Sequence, residues 1–183
     1  MERTAPDQRQ DVAPTESANR NERSGAFVQP ASDGQDVHID FANGDLPDSK
    51  LQRLHAIWLD KCGPDRLPGR ADFDPVELPP DLLPWITIFD VEGERFRIRL
   101  VRTGIVEALG MDTTGRYLDE LPNTRTLQDR ARWVVAHAKP YFISDLTMVW
   151  DQDRYGRYSV LCAPLATDGT KVDKLLYLMS FGA

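Results

Sequence analysis

Residues able to do chemistry are spread thinly through this 183-residue chain. Cys62 and Cys162 stand far apart with no CxxC spacing. A zinc site or a disulfide framework needs close, repeated cysteines, so both read as ordinary thiols. The nucleophile, phosphate and dinucleotide signatures GxSxG, GxxxxGK, HExxH and GxGxxG are absent. Carboxylates are plentiful but show no pattern that singles out an acid/base pair. Catalysis is therefore not expected.

Three groups remain. Arg95, Arg97 and Arg99 alternate with Phe96, Ile98 and Leu100. On a strand this gives one cationic and one apolar face, the cationic row either binding an anion or pairing with neighbouring carboxylates. His55 falls on the apolar side of a helical pattern with Leu51 and Trp58, where a packed, hydrogen-bonded imidazole is expected in preference to a switch. His137 lies four residues after Trp133, off the stripe Leu127, Ala131, Val134 and Ala138. That spacing turns it toward solvent or the helix flank, and a helix C-terminus is itself a favourable place for an imidazole.

The bulk properties narrow the partners. Lys plus Arg number 22 against 29 Asp plus Glu, a net charge of −7, which repels nucleic acid and anionic membrane. No apolar run reaches the roughly 18 residues of a membrane span, and the N-terminus lacks a signal-like basic and apolar pair, so a cytoplasmic protein is expected. The 41% hydrophobic and 28% charged content suits a folded domain over most of the length. Much of the negative charge lies in the first 48 residues, rich in Gln, Ser, Asn, Asp and Pro, which predicts a disordered acidic tail over 1–48 and a single domain over 49–183. Within that tail Val37, Ile39 and Phe41 alternate, either as a short docked strand or as an unpaired segment.

The elements follow from periodicity. Ser49 and Gln52 read as a capping box opening an amphipathic helix with Leu51, Leu54, His55, Trp58 and Cys62 on one face, stopped at Gly63-Pro64. A proline-punctuated loop from Arg66 to Pro80 routes the chain around the core. Two strands follow, Trp85 to Val91 and Arg95 to Arg102, joined by a turn at Glu92-Gly93-Glu94, with Phe96, Ile98 and Leu100 on one face. Three helical pieces come next: Gly104 to Leu109, Gly115 to Leu121, and a longer one from Thr124 to Ala138. The strands Tyr141 to Trp150, Tyr158 to Leu165 and Lys174 to Phe181 complete an α+β fold. It is a five-stranded antiparallel sheet with helices on one face and an N-terminal amphipathic helix.

This order resembles the PAS domain family. Arg97-Ile-Arg-Leu-Val-Arg-Thr-Gly104, Thr114-Gly-Arg-Tyr-Leu-Asp-Glu-Leu121, Leu54 to Trp58 and Pro68-Gly-Arg-Ala-Asp-Phe-Asp-Pro75 are similar to a bacterial PAS subfamily often found as small stand-alone proteins, over residues 50–183. The resemblance implies a sensory or regulatory module with a small-molecule pocket between helices and sheet. Candidate walls are Phe96, Ile98, Leu100, Tyr117, Trp133 and Phe142. Haem would need a histidine on the long middle helix, where off-stripe His137 is the one candidate, and photosensory flavin needs a reactive cysteine in a short helix, which Gly115 to Leu121 lacks. Neither cofactor is expected. Because only Gly182 and Ala183 follow the last strand, signalling to a protein partner in trans is expected. The first helix either packs on its own sheet or closes a homodimer through Leu51, Leu54, His55 and Trp58. A ligand-sensing module and a ligand-free dimerisation or adaptor protein both fit this reading.

Overall fold

The structure, a computed structural model, describes residues 34–147 and 156–181. The expected tail therefore lies largely outside the described residues, as do Met148 to Trp150 and most of the turn after them. Six antiparallel strands form one sheet in the order β1-β4-β5-β6-β2-β3. They are β1 (Val37–His38), β2 (Ile86–Glu92), β3 (Arg95–Val101), β4 (Tyr141–Thr147), β5 (Arg157–Leu165) and β6 (Lys174–Phe181). Helices α1 (Ser49–Lys61), α2 (Thr103–Leu109) and α3 (Arg125–His137) pack on it. Among the described residues no helix is long and apolar enough to cross a membrane.

The sixth strand corrects the five-strand expectation and moves the start of ordered chain. Val37 and His38 pair with Ile143 and Phe142 of β4. The His38 ring stacks on Phe142 at 4.3 Å. Asp40 then takes a left-handed backbone, φ 54°, which swings Phe41 to the other side of the sheet, edge-on to Phe142 at 4.8 Å. Of the two alternatives for Val37, Ile39 and Phe41, the short docked strand is the one present. The apolar trio was sufficient to dock because β4 offered an edge with its hydrogen bonds unmade.

Asp48, not Ser49, caps α1. Its carboxylate accepts from the backbone N–H groups of Lys50 at 2.9 Å and Leu51 at 3.0 Å, and Gln52 donates instead to the Leu46 carbonyl. Adjacent Asp and Ser are both competent caps, and the carboxylate adds a favourable charge at the positive end of the helix.

Neighbouring residues along the strands enter two different clusters. Phe142, Leu161, Leu176, Leu178, Ile86 and Ile88 pack with Leu51, Leu54 and Trp58 of α1. Tyr141, Ile143, Cys162, Tyr177, Phe89, Phe96 and Ile98 pack with Ala131, Trp133 and Val134 of α3. Alternation along a strand is alternation between faces, so α1 covers one face and α3 the other. The proline-rich loop completes the α1 side, burying Phe73, Leu78 and Leu82 there.

The β2–β3 pair turns at Gly93, φ 63°, and pairs Glu92 with Arg95. Its register slips between Ile88 and Phe89: Ile88 faces Leu100 while Phe89 faces Ile98. Arg99 is the extra residue, and this bulge sends Leu100 to the α1 face although Phe96 and Ile98 stay on the α3 face. The second of the three middle helical pieces is shorter than expected. Gly115 to Leu121 holds only a 3₁₀ turn at Leu118–Glu120, because the chain there runs beside β3, with Gly115 N–H donating to the Ile98 carbonyl and Ile98 N–H to the Arg116 carbonyl. In α2, Gly104 lets the helix approach Trp85, since a Cβ there would stand 2.8 Å from the indole.

Candidate functional site

The strand registers bring an unexpected set of side chains into one line. Tyr141 pairs with Cys162, Cys162 with Tyr177, and Tyr177 with Thr87. Directly opposed residues share a face, so the four form a row across β4, β5, β6 and β2 on the α3 side. All four are buried, Tyr141 at 1% and Cys162 at 0% exposure. In this row the two phenol oxygens lie 3.0 Å apart, and the Tyr177 hydroxyl also interacts with the Cys162 thiol. The Phe89 ring flanks Tyr177 at 4.8 Å.

Arg130 of α3 is the charged neighbour. It is 7% exposed, donates to the Gln35 side-chain oxygen at 2.8 Å, and acts electrostatically on Tyr141 and Tyr158. Burial drives the titrations. It pushes the Tyr141 and Tyr177 phenols and the Cys162 thiol above their ordinary values, because each would carry its charge in a low-dielectric interior. At neutral pH the row is uncharged, and Cys162 is not a thiolate nucleophile. Two phenols joined by one hydrogen bond have a second O–H proton to place. Its partner within the row is a weak acceptor, the Cys162 sulfur.

The residues expected to wall a pocket do not converge. Phe96, Ile98 and Trp133 lie on the α3 face beside the row. Leu100 and Phe142 are on the opposite face with α1, which the bulge explains for Leu100 and strand parity for Phe142. Tyr117 stands at the surface, donating to Glu92 Oε2 at 2.6 Å, with the Arg95 guanidinium 3.7 Å over its ring. The dimer candidates are buried side chains of α1. Leu51 and Leu54 are fully buried, and His55 and Trp58 are 3% and 5% exposed, within a single chain. Trp58 Nε1 donates to the Pro164 carbonyl at 2.9 Å. This face packs on the chain's own sheet.

His55 is a packed imidazole. Its Nδ1 meets Asn43 Oδ1 at 3.0 Å, Phe41 and Trp58 flank its ring, and burial lowers its pKa. His137 is exposed, stacks on Trp133 at 4.6 Å and donates from Nδ1 to the Trp133 carbonyl at 2.8 Å. The arginine row meets carboxylates: Arg95 with Asp119 and Glu120, Arg97 with Glu92, Arg99 with Asp90. Cys62 and Cys162 are free thiols.

Sequence reasoning missed Tyr141, Cys162, Tyr177, Thr87 and Arg130. The available signal was a polar-capable residue in each of the apolar strands β4, β5, β6 and β2. Only the inter-strand register says that these residues are neighbours.

An antiparallel sheet with β2 and β3 beside β6 and with helices packed on it defines the class of small α+β domains. The family profile described as a PAS domain matches residues 47–180, and the chain belongs to the PAS domain family. It is a sensory or signalling module in that general sense. Among curated proteins no match was found. Among solved structures, the PAS domain of the histidine kinase ThkA is similar at 15% identity and a TM-score of 0.43, over 52% of this chain and 95% of that one.

Proposed function

We propose that the protein senses a small molecule admitted between α3 and the inner sheet face, and passes its occupancy to a protein partner in trans. The observation that carries this reading is the Tyr141, Cys162, Tyr177 row: neutral hydrogen-bonding groups buried together on the helix-covered face of the sheet. Neutral phenols with a proton to donate suit an uncharged or weakly polar ligand bearing an acceptor, held among Phe96, Ile98 and Trp133. Binding there shifts the packing of α3 on the sheet, a change that a partner can read. The module has no catalytic task in this reading, since burial keeps its one interior thiol protonated.

A second reading, the ligand-free adaptor, is favoured by a different observation. Ala131 and Val134 of α3 are fully buried against the sheet, so the chain's own side chains fill this space. Native mass spectrometry of the purified protein, with an absorbance scan and a thermal-shift screen of neutral small molecules, separates the two. The sensing reading expects a bound or stabilising compound whose effect disappears in Tyr141→Phe/Tyr177→Phe. A wild-type protein that carries nothing and responds to no compound leaves the adaptor.

A further inference from the structure

Outside the sheet core, α1 and the loop that follows it enclose a groove of about 400 Å³, open along one side. Leu51, Leu54 and Trp58 turn toward the sheet. The adjacent flank of the helix, carrying Ile57, Asp60 and Lys61, turns toward Phe73, Asp74 and Glu77 of the loop. Ile57, Phe73 and Leu78 make an apolar floor, while Asp60, Asp72, Asp74 and Glu77 line the groove against a single cation, Lys61.

These carboxylates are not equally engaged. Asp72 is held by Arg66 at 3.0 Å and by the Gly69 N–H at 2.7 Å. Glu77 is 3.7 Å from Lys61. Asp74 accepts only a turn bond from the Val76 N–H, and among the described residues no ion pair joins Asp60 or Asp74 to a cation. Lys61 itself shows what the groove accommodates, its ammonium lying 5.8 Å from the Phe73 ring centroid, an arrangement of cation over aromatic face that is attractive in its own right.

We propose that this groove docks a basic segment of a partner protein, with a lysine or arginine side chain laid over the Ile57, Phe73 and Leu78 floor and its charge placed between Asp60 and Asp74. The sign of the lining selects against acidic peptides, nucleic acid and anionic lipid. A bare metal ion does not fit, because among the described residues no cluster of ligating side chains could hold one. The apolar floor and the adjacent Val76, 90% exposed between Asp74 and Glu77, favour a peptide, which brings aliphatic stems and neighbouring side chains as well as charge. This deepens the reading of a module that acts on a partner, and its test measures docking alone, so its failure leaves ligand sensing by the inner face untouched.

The experiment is fluorescence anisotropy of a fluorescein-labelled Arg-Ala repeat peptide titrated with the full chain, at low and at physiological salt. A Glu-Ala repeat peptide is the control for charge sign. Binding of the basic peptide that weakens with salt is expected, together with a loss of roughly fivefold in Asp60→Asn/Asp74→Asn. Asp60→Asn alone, which removes no turn bond, keeps the test valid if the double variant is unstable, and is expected to lose about half of that effect on a logarithmic scale. Neutralising two distant carboxylates, Asp36→Asn/Glu94→Gln, changes the net charge equally and is expected to leave binding intact. The proposal is overturned if the wild type does not bind, if the distant variant loses as much as the groove variant, or if free spermine binds as tightly as the peptide.

Discussion

Replacing Trp58 by Phe tests whether α1 belongs to its own sheet. The indole is 5% exposed, packs in the cluster with Phe73, Leu161 and Leu178, and donates to the Pro164 carbonyl at 2.9 Å in a buried setting. Phenylalanine keeps an aromatic ring but removes the donor and leaves a small void. A buried hydrogen bond broken on one side costs about 1–3 kcal/mol, and the void adds to it. For a domain of this size about 2 kcal/mol lowers the melting temperature by roughly 6–10 °C. The stronger perturbation, Leu54→Glu/Trp58→Glu, removes about 1.5–3 kcal/mol of burial per side chain. It also places two carboxylates where each meets several kcal/mol of desolvation. Together these approach or exceed a typical stability of about 5–15 kcal/mol, and the double variant is expected to be unfolded by circular dichroism. Urea titration with far-ultraviolet detection measures the first variant, and light scattering with circular dichroism the second. A folded, monomeric Leu54→Glu/Trp58→Glu protein from a dimeric wild type would refute the reasoning, because it would place this face between two chains.

Further outcomes follow from the same structure. Burial lowers the His55 pKa in the folded chain, so the unfolded chain takes up the proton first. This contribution to stability is fully present above about pH 7 and is lost as pH falls through the unfolded value of about 6.5, levelling off below the folded value; urea titrations at successive pH values should show that slope, and an undiminished slope in His55→Gln would assign it elsewhere. Removing residues 1–45 takes away β1, the Phe41 contact and the Asn43 partner of His55, and is expected to lower the melting temperature by several degrees; an unchanged melt would mean that β1 contributes nothing. Gly104→Ala forces a methyl group to within 2.8 Å of the Trp85 ring and is expected to destabilise by about 1–3 kcal/mol, read by urea titration. Cys162, with 0% exposure and a thiol held protonated by burial, should resist iodoacetamide until denaturant is added, and rapid native alkylation mapped to Cys162 by peptide mass spectrometry would contradict the burial.

Local chemistry was sufficient for the elements. The 3.6-residue spacing of Leu51, Leu54, His55 and Trp58 and the strict alternation from Arg95 to Leu100 each report which side of an element is apolar, a property of a few consecutive residues. The pairs Arg97 with Glu92 and Arg99 with Asp90 belong to this level too, because cross-strand neighbours are set by the short β2–β3 connection, whereas the Arg95 partners Asp119 and Glu120 come from the later 3₁₀ turn. Which apolar side meets which was beyond its reach. One extra residue at Arg99 reverses the face of Leu100, and strand parity puts Phe142 under α1, so two of the expected pocket walls lie on the wrong side of the sheet. The Tyr141, Cys162, Tyr177 and Thr87 row exists only because four strands, distant in the chain, align in a particular register. Their short-range patterns are compatible with several registers, and it is the simultaneous packing of α1 on one face and α3 on the other that selects this one. The groove beside α1 has the same origin: Asp60 and Asp74 are unremarkable surface acids in sequence, and become one acidic lining only where the proline-rich loop folds back along the helix.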